Sequence, residues 1–268
     1  MVKLTIPERL YPHMLRRLYW PFLALAESCP QVVGTVAGSF VVDDRQYTLP
    51  RFQFLGPGPT ARRMRVALFA LVHGDEPAGA LALRLFLERL VARPELAAGF
   101  DLFFYPVCNP TGYEDGTRHN RSDRDLNREF WRDSAEPEVR ILEAELSQER
   151  FDGLVAVHAD DTSDGVYGYA PGRRLNERLL TPALRASEAV LPLNRSWVID
   201  GFPAAEGVVA ECFDGVLSPP PWQEPRPFEV ILETPARAPM TRQGEAACCA
   251  LEALLFECRA FTEQGMNL

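Results

Sequence analysis

Long hydrophobic runs are missing from this sequence of 268 residues. None approaches the roughly 18 consecutive apolar residues that a membrane-spanning helix needs. Internal repeats and low-complexity segments are absent too, and the hydrophobic (47%) and charged (24%) fractions are those of an ordinary globular domain. The formal net charge of -9 argues against a broad basic surface for nucleic acid. We therefore expect neither a membrane nor a nucleic acid as a partner.

Cysteine pairs with the CxxC spacing are also missing. No CxxC motif occurs, which excludes a zinc site built from such pairs. In a chain of this length, scattered cysteines do not suggest a disulfide framework either, so we expect buried, reduced thiols. The six cysteines are Cys29, Cys108, Cys212, Cys248, Cys249 and Cys258.

Histidine is scarce, with four in the chain, and one of them lies between two predicted elements. Residues 65–72 (RVALFALV) have the apolar run of a buried strand, and a helical pattern continues from residue 77 to about 91. His73 and Glu76 lie between these elements, at the edge of an open α/β sheet where ligands bind. Each residue alone has an ordinary explanation, since a strand-end histidine can donate to a carbonyl and the helix dipole favours a glutamate in the first turn.

A second histidine changes this balance. His158 follows another apolar run, residues 154–157, which we predict to be a buried strand. Two histidines and one carboxylate, with a fourth position left open, make a catalytic zinc site. The sequence thus predicts that His73, Glu76 and His158 together bind one Zn²⁺ ion.

Strands alternating with helices predict an α/β fold, a single domain with a mostly parallel mixed sheet and helices on both faces. A hairpin over 32–55, turning at residues 43–44, predicts antiparallel strands at one edge. Because no linker is visible, we assign residues 1–268 to one domain, with 1–55 as an N-terminal helix and hairpin extension. The other predicted strands are 66–72, 100–107, 153–158 and 228–233, and the predicted helices are 7–27, 77–91, 137–148, 175–189 and 244–261.

The N-terminal segment allows two interpretations. Two arginines precede the apolar run 18–26, which ends in an A-x-A sequence like that of a signal-peptide cleavage site. The run is short and contains Pro21, and the segment before it is long and contains Glu8. An amphipathic helix packed on the domain is therefore favoured, and we expect the protein to be cytoplasmic.

An arginine-rich segment, residues 109–132, follows the predicted strand 100–107 and so begins at the same edge of the sheet as His73 and His158. An arginine guanidinium is well matched to a carboxylate, so the segment is a candidate for substrate binding. The alternative is a solvated loop balanced by its own acidic residues. The five arginines are Arg118, Arg121, Arg124, Arg128 and Arg132.

These residues also carry a family resemblance. The chain resembles the M14-type zinc carboxypeptidases, including their branch of aspartoacylase-like and succinylglutamate desuccinylase-like deacylases. The resemblance covers about residues 60–240, and the first 55 residues match no part of the family. The shared motifs are HGDE at 73–76, NPTGYEDGTR at 109–118, DLNREF at 125–130, VHADDTSDG at 157–165 and ILETP at 231–235.

The resemblance implies roles for the metal-proximal residues. His73, Glu76 and His158 correspond to the zinc ligands, and Glu233 corresponds to the general base. A simpler explanation for Glu233 is an ion pair with Arg237 or another nearby arginine.

Four polar residues of the arginine-rich segment are also assigned by the resemblance. Arg118 corresponds to the arginine that polarises the scissile carbonyl. Asn127 and Arg128 correspond to the pair that binds the free carboxylate of the substrate. Asp125 corresponds to the acid that hydrogen-bonds the first zinc histidine from behind.

Two features depart from the family pattern. Residues 209–215 (VAECFDG) contain no tyrosine where pancreatic carboxypeptidases have one, so Tyr167 and Tyr169 are the alternatives for lining the pocket. The spacing from Arg118 to the Asn-Arg pair is longer than in aspartoacylases. Arg121 is therefore a second candidate for the carbonyl-polarising role.

The proline-rich run 218–227 allows two interpretations as well. It is either a rigid connector to the last predicted strand or a stiff rim of the substrate pocket, with Trp222 or Arg226 facing the ligand.

Three functions remain open: a peptidase, an amidohydrolase that releases an amino acid from a small N-acyl group, and a non-catalytic binding protein with the same fold. The complete set of ligands and base disfavours the third. About 35 residues follow Glu233, which leaves little sequence for a cap domain over a small substrate. We therefore expect a zinc hydrolase acting on a small peptide, or alternatively on an N-acyl amino acid, with a free carboxylate.

Overall fold

A ten-stranded mixed sheet with helices on both faces forms the centre of the computed structural model, which describes residues 13–59 and 63–263. The strand order is β1-β2-β4-β3-β5-β10-β6-β9-β8-β7. The predicted fold class is thereby confirmed. The strands are β1 (Val32–Val42), β2 (Arg45–Leu55), β3 (Met64–Ala70), β4 (Phe100–Tyr105), β5 (Gly153–Asp160), β6 (Tyr167–Tyr169), β7 (Val198–Ile199), β8 (Phe202–Ala205), β9 (Val208–Val209) and β10 (Phe228–Pro235).

Seven α-helices surround the sheet within the described residues. Short 3₁₀ segments at Pro94–Ala97 and Leu126–Arg128 and a π-helical stretch at Asn176–Leu180 complete the helical elements. The helices are α1 (His13–Ser28), α2 (Ala78–Ala92), α3 (Pro110–Asp115), α4 (Pro137–Glu149), α5 (Gly172–Leu175), α6 (Thr181–Glu188) and α7 (Met240–Glu263).

The four parallel strands β4, β3, β5 and β10 are apolar because both of their faces are covered. In β3, Val66 and Leu68 pack into the core that contains α2 and α7 residues. Ala67 and Phe69 alternate with them and pack into the second core, on the α4 side of the sheet. A side-chain period of two therefore divides the strand between two hydrophobic layers.

Helix α1 is an integral part of the fold. Helix formation was predicted over residues 7–27; residues 7–12 lie outside the described part, and α1 covers His13–Ser28. Tyr19 and Phe22 are buried, Phe22 stacks on Phe52 with ring centroids 5.1 Å apart, and the Tyr19 hydroxyl donates to the carbonyl of Thr48. This is the packing expected of an amphipathic helix. None of the helices in 13–59 and 63–263 combines the length and hydropathy needed to cross a bilayer.

Two-residue turns organise the antiparallel strands. The predicted hairpin of β1 and β2 is confirmed, and its turn residues Asp43 and Asp44 both have positive φ, as a type I′ turn requires. The chain also turns at 200–201 between β7 and β8 and at 206–207 between β8 and β9, again with positive φ at both positions.

The sequence analysis missed β6 to β9, which extend the sheet beyond β10. Each has two to four residues, too few for an alternating pattern to be recognised. The signals available were the Asp200-Gly201 and Glu206-Gly207 dipeptides, because glycine after an acidic residue suits a type I′ turn.

The structural role of α1 makes a stability prediction. Phe22→Ala should lower the free energy of unfolding by about 3–5 kcal/mol, the usual cost of removing a buried phenylalanine ring. Trp20→Ala on the exposed face of the same helix is the matched control and should cost about 1 kcal/mol or less. Urea unfolding of both variants measures the difference, and equal small losses would show that α1 does not contribute to the core.

Candidate functional site

The site lies where the carboxyl ends of three adjacent parallel strands meet. The chain passes from β3 to β4 on one side and then to β5 on the other side of β3, so strand order reverses at β3. Such a reversal opens a crevice at the carboxyl edge of the sheet. His73 lies just beyond β3, His158 lies near the end of β5, and Glu233 lies near the end of β10.

His73 is delivered by a turn and not directly by the strand. The predicted strand 66–72 ends at Ala70, because Leu71 adopts a left-handed backbone conformation with φ of 55°. Such a conformation is uncommon for a non-glycine residue and is often found next to functional sites. Glu76 precedes α2, and its backbone N–H donates to the carbonyl of His73 (3.3 Å), which brings the two side chains together.

The side chains of His73, Glu76 and His158 converge in a buried cluster. His73 Nδ1 lies 2.6 Å from Glu76 Oε1, and His158 Nδ1 lies 2.9 Å from Glu76 Oε2. The two Nδ1 atoms are 3.2 Å apart. Donor atoms bound to one zinc ion at about 2.0–2.2 Å are separated by a little more than 3 Å, so small shifts would admit a cation between them. The donor set and its convergence fit a zinc ion with an open fourth position.

A glycine between the two HGDE ligands permits close approach of α3. A Cβ at Gly74 would lie 2.1 Å from the backbone carbon of Gly112 and 2.3 Å from the backbone nitrogen of Tyr113. Real Cβ atoms do not come so close to backbone, so only glycine fits there. The short helix α3 thereby packs directly against the turn that carries His73 and Glu76.

Asp125 supports His73 from outside the cluster. His73 Nε2 is 3.2 Å from Asp125 Oδ1, and Arg118 Nε donates to Asp125 Oδ2 over 3.2 Å. Arg118 Nη1 also lies 3.5 Å from Glu76 Oε1. His158 differs, because its Nε2 is buried without a hydrogen-bond partner among the described residues.

The electrostatics of the cluster follow from burial and from these contacts. Burial acts to raise the pKa of Glu76, but contacts with His158 and His73 lower it to about 2. Burial acts to lower the pKa of His73, but the carboxylates of Asp125 and Glu76, which accept hydrogen bonds from its ring, outweigh this and raise the pKa. For His158 burial dominates, and its pKa is lowered despite Glu76. The carboxylate is therefore ionised, as a metal ligand must be.

Glu233 lies one strand away from His158. The two residues are in register between β10 and β5, and Tyr167 of β6 is in register with Glu233 on its other side. Burial first, and then the carboxylates of Glu76, Asp160 and others, raise the pKa of Glu233 well above its usual value. A cation at the cluster would act in the opposite direction by favouring the carboxylate.

A cavity of about 380 Å³ opens beside this cluster. Most of the predicted site residues line it, and an aspartate-rich stretch and the hairpins of β7–β9 complete its wall. The Tyr167 hydroxyl lies 3.1 Å from Asp160 Oδ2 and 2.9 Å from Asp200 Oδ2. Among the predicted residues, those lining the cavity are His73, Glu76, Arg118, Asn127, Arg128, Tyr167, Tyr169 and Glu233.

Arg128 is held on the cavity wall by two contacts. Its Nη1 donates to the carbonyl of Asn127 over 2.7 Å, and its guanidinium lies 4.3 Å from the ring centroid of Phe213. The side-chain oxygen of Asn127 accepts from the backbone N–H of Leu217 over 2.9 Å, which fixes the orientation of this amide.

Arg121 does not lie where the sequence hypothesis placed it. Its guanidinium is bound by Asp115 (2.6 Å), Glu114 (3.1 Å) and the Tyr47 hydroxyl (2.7 Å), and it does not line the cavity. Two carboxylates hold this arginine at the outer side of α3, so it is not positioned to approach a carbonyl beside the cluster. Arg118, in contrast, lines the cavity and reaches the cluster at Glu76.

The proline-rich run 218–227 has the geometry of a connector. Trp222 is largely exposed and packs edge-on against Trp131 with ring centroids 5.1 Å apart, and neither Trp222 nor Arg226 lines the cavity. Gln223 donates to the carbonyl of Phe151, which precedes β5. The run therefore leads the chain back to the amino edge of the sheet, where β10 begins.

Several cavity residues were missed by the sequence analysis. Asp160 lies two residues beyond His158, at the end of the same strand. The motif at 157–165 contains this aspartate, but the sequence analysis gave it no role. Asp200 and Phe202 belong to the unrecognised β7–β8 hairpin, and Phe213 belongs to a loop without regular structure.

Comparison with known proteins places this geometry in context. Residues 62–167 match the family described as succinylglutamate desuccinylase/aspartoacylase catalytic domain. No match is found among the curated proteins. A provisionally designated metallopeptidase from Shewanella amazonensis is 22% identical with a TM-score of 0.76, and the alignment covers 90% of this chain and 92% of that one.

Two metallo-carboxypeptidase structures are also similar. That from Burkholderia cenocepacia is 18% identical, has a TM-score of 0.74 and aligns over 94% of this chain and 70% of its own. That from Pseudomonas aeruginosa, in complex with (2-guanidinoethylmercapto)succinic acid, is 19% identical, with a TM-score of 0.69 and coverage of 91% and 69%.

The chain has the metallocarboxypeptidase fold. The resemblance noted in the sequence is confirmed, and the part that matches the desuccinylase/aspartoacylase catalytic domain contains His73, Glu76 and His158. In this metallocarboxypeptidase-like chain, the buried His-Glu-His cluster is a candidate metal site.

The contact between Asp125 and His73 makes a prediction about metal affinity. Asp125→Asn should weaken Zn²⁺ binding by about 10- to 100-fold, because partners that orient a ligand histidine usually contribute that much. Competition with a chromophoric chelator measures the affinity. Asp123→Asn, two residues earlier on the exposed loop, is the control and should bind Zn²⁺ like the parent protein.

The raised pKa of His73 makes a prediction about pH. Protons compete with the metal for the ring nitrogen of His73. As the pH decreases, Zn²⁺ affinity should therefore begin to fall at a pH above about 6.5, the ordinary pKa of histidine, and should continue to fall at lower pH. In Asp125→Asn the fall should begin at lower pH, because that variant weakens the interaction that raises the His73 pKa. Affinity that does not change between about pH 5 and pH 8 would contradict this assignment of His73 as a ligand.

Proposed function

We propose that the protein is a zinc-dependent hydrolase of the carboxypeptidase type, which cleaves a peptide or amide bond next to a free carboxylate. One observation carries the proposal: two members of a buried His-Glu-His cluster, His73 and Glu76, line one cavity together with Glu233 and two arginines. A zinc ion held by His73, Glu76 and His158 would supply Lewis acidity and activate water at neutral pH.

The two arginines are suited to different groups of the substrate. Arg128, fixed by Phe213 and by the Asn127 carbonyl, is suited to a carboxylate, and Asn127 lies beside it on the wall. Arg118 reaches to 3.5 Å from Glu76 and is suited to the oxygen of the scissile carbonyl, where negative charge develops in the transition state. The substrate carboxylate would thus place the susceptible bond next to the metal cluster.

Glu233 is suited to move protons. Its strand places it beside His158, and none of the described residues makes an ion pair with it, Arg237 included. A general base must be ionised when it takes a proton from the attacking water, and it can then return that proton to the leaving amine. Asp125 holds the ring of His73, and Tyr167 and Tyr169 line the remaining wall.

An alternative activity is supported by a separate observation. The family match over residues 62–167 is to a deacylase catalytic domain, so an N-acyl amino acid is the second candidate substrate. The overall likeness to metallo-carboxypeptidases favours a peptide, and the ligand of the Pseudomonas aeruginosa enzyme, a substituted succinic acid, is a carboxylate.

Metal analysis together with a substrate screen tests the proposal. The screen compares peptides with a free C-terminus, the same peptides as C-terminal amides, and N-acyl amino acids. We expect one bound Zn²⁺ and hydrolysis of the free acids, with the amides resistant because they lack the charge that Arg128 would bind. Hydrolysis of N-acyl amino acids alone would establish the alternative, and a protein that binds no Zn²⁺ and cleaves neither class would refute both.

The role of Glu233 gives a specific prediction. Glu233→Gln should retain Zn²⁺ and substrate binding while turnover falls by about 10²-fold or more, since general base catalysis contributes at least that much. The matched control is Glu229→Gln, on the same face of β10 but outside the cavity, which should turn over substrate normally. Steady-state kinetics separates the two, and turnover near the parent rate in Glu233→Gln would exclude it as the base.

A further inference from the structure

A nine-residue loop, 117–125, carries both Arg118 and Asp125, and most of its side chains are at least partly exposed. Arg118 must nevertheless stay beside Glu76, and Asp125 beside His73. An exposed loop with polar side chains does not hold such positions by apolar packing. The conformation of the loop must therefore be fixed by specific polar contacts.

The first end of the loop is fixed by Asn109. Its Nδ2 donates to the carbonyl of Arg118 and to that of Val72, each over 3.3 Å, and the backbone N–H of Gly74 also donates to the Arg118 carbonyl. The backbone of Arg118 is thereby tied to the turn that carries His73.

The second end is organised by Asn120, the most deeply buried residue of the loop. Its side-chain oxygen accepts from the backbone N–H groups of Ser122 (3.2 Å) and Arg124 (3.0 Å), and its own N–H donates to the carbonyl of Arg124 (3.0 Å). These bonds close the turn immediately before Asp125. The conformation of the turn therefore depends on the orientation of one amide side chain.

That amide is held from outside the loop by the first turn of α4. Asn120 Nδ2 donates to Glu136 Oε2 (2.6 Å) and lies 3.4 Å from Glu138 Oε2. The other oxygen of Glu138 accepts from the Thr111 hydroxyl (3.2 Å), and Thr111 Oγ1 accepts from the backbone N–H of Arg121 (3.2 Å). Glu138 thus holds the loop at two points, Asn120 directly and Arg121 through Thr111.

Glu138 is an unusual residue in such a place. It is 1% exposed, and within 13–59 and 63–263 no arginine or histidine side chain forms an ion pair with it. Burial raises the pKa of Glu138, and its own backbone N–H, Asn120 and Thr111 only partly offset this. A buried carboxyl group without an ion-pair partner lowers stability relative to an apolar residue at the same position. The contacts of Glu138 with Thr111 and Asn120 are therefore a reason for a glutamate here.

We propose that Glu138, acting through Asn120 and Thr111, is a positioning residue that holds Asp125 and Arg118 at the metal cluster. This inference rests on the proposed function. Glu138 lies outside the cavity and makes its side-chain hydrogen bonds with Thr111 and Asn120, so its effect must pass through the loop.

Three variants test it in the full-length chain. Glu138→Ala removes both loop contacts. Glu138→Gln preserves them, because its amide can donate to Thr111 Oγ1 while its oxygen accepts from Asn120. Leu142→Ala, one turn further along α4, is 1% exposed and packs in the hydrophobic core without touching the loop, so it controls for general loss of stability. Each variant is measured for thermal stability and for Zn²⁺ affinity by chelator competition.

Glu138→Ala should weaken Zn²⁺ binding by about 10-fold, at the lower end of the range for groups that orient a ligand. Glu138→Gln should restore affinity to within about twofold, and Leu142→Ala should lower the melting temperature without changing affinity. In the Asp125→Asn background, Glu138→Ala should cause little further loss, because both changes act on the same contact. With saturating Zn²⁺ and the substrate found by screening, kcat should fall more than KM rises, as expected when a transition-state contact is displaced.

Two outcomes would overturn the inference: unchanged Zn²⁺ affinity in Glu138→Ala, or an equal loss of affinity in Leu142→Ala at matched stability. If Glu138→Ala does not fold, Asn120→Asp replaces it, since a third carboxylate, facing those of Glu136 and Glu138, should detach the turn. Unchanged Zn²⁺ affinity in that variant would also overturn the inference. If the parent protein itself binds no Zn²⁺ and cleaves nothing, the proposed function fails. A parent protein that binds and cleaves, together with an unaffected Glu138→Ala, refutes only the positioning role.

Discussion

The site depends on the contacts of the Glu76 carboxylate, because they join the ends of β3 and β5, which are far apart in sequence. One oxygen faces His73 and the other faces His158, and the backbone N–H of Ala159 also donates to it over 3.1 Å. A buried carboxylate is costly without such partners. The turn after β3, the end of β5 and the start of α2 must therefore be held in one arrangement, and the core packing of the parallel strands provides this.

The two faces of the sheet contribute differently. Val157 and Leu232 point into the core that contains α2 and α7, whereas His158 and Glu233, their neighbours in sequence, point to the opposite face. The same strand pair thus supplies rigid apolar packing on one side and ionisable groups on the other. The precision of the site comes from the strands, and the segment from Asn109 to Asp125, which contains α3 and the loop 117–125, adds groups that strands cannot place there.

Much of the architecture could be predicted from the sequence because the central strands carry continuous apolar runs and the helices have a clear period. His73, Glu76 and His158 were also predictable, since each lies at an edge where strand ends must meet, and the motifs of a known family supported them. The position of Asp125 against His73 depended on the family resemblance alone, because no local pattern relates residues 52 positions apart in sequence.

Other features could not be predicted for physical reasons. Arg118 and Arg121 are chemically alike and three residues apart, and they are distinguished by their contacts in the fold: Glu114 and Asp115 bind Arg121. The strands β6 to β9 are too short for periodicity to appear. Glu138 lies on a helix whose pattern is ordinary, and nothing in the sequence shows that its carboxyl group contacts a loop that begins some twenty residues earlier.

The hairpins of β7, β8 and β9 have a consequence for how a protein of this architecture can diversify. They contribute Asp200, Phe202 and Val209 to the cavity, and they join the sheet only at its far edge, through β6. Their turns consist of two residues each, at 200–201 and 206–207. Substitutions or insertions in these turns would reshape one wall of the cavity without altering the spacing of β3, β5 and β10. The shape of this cavity wall and the geometry of the His-Glu-His cluster are thus encoded in separable parts of the chain, and one can change while the other is retained.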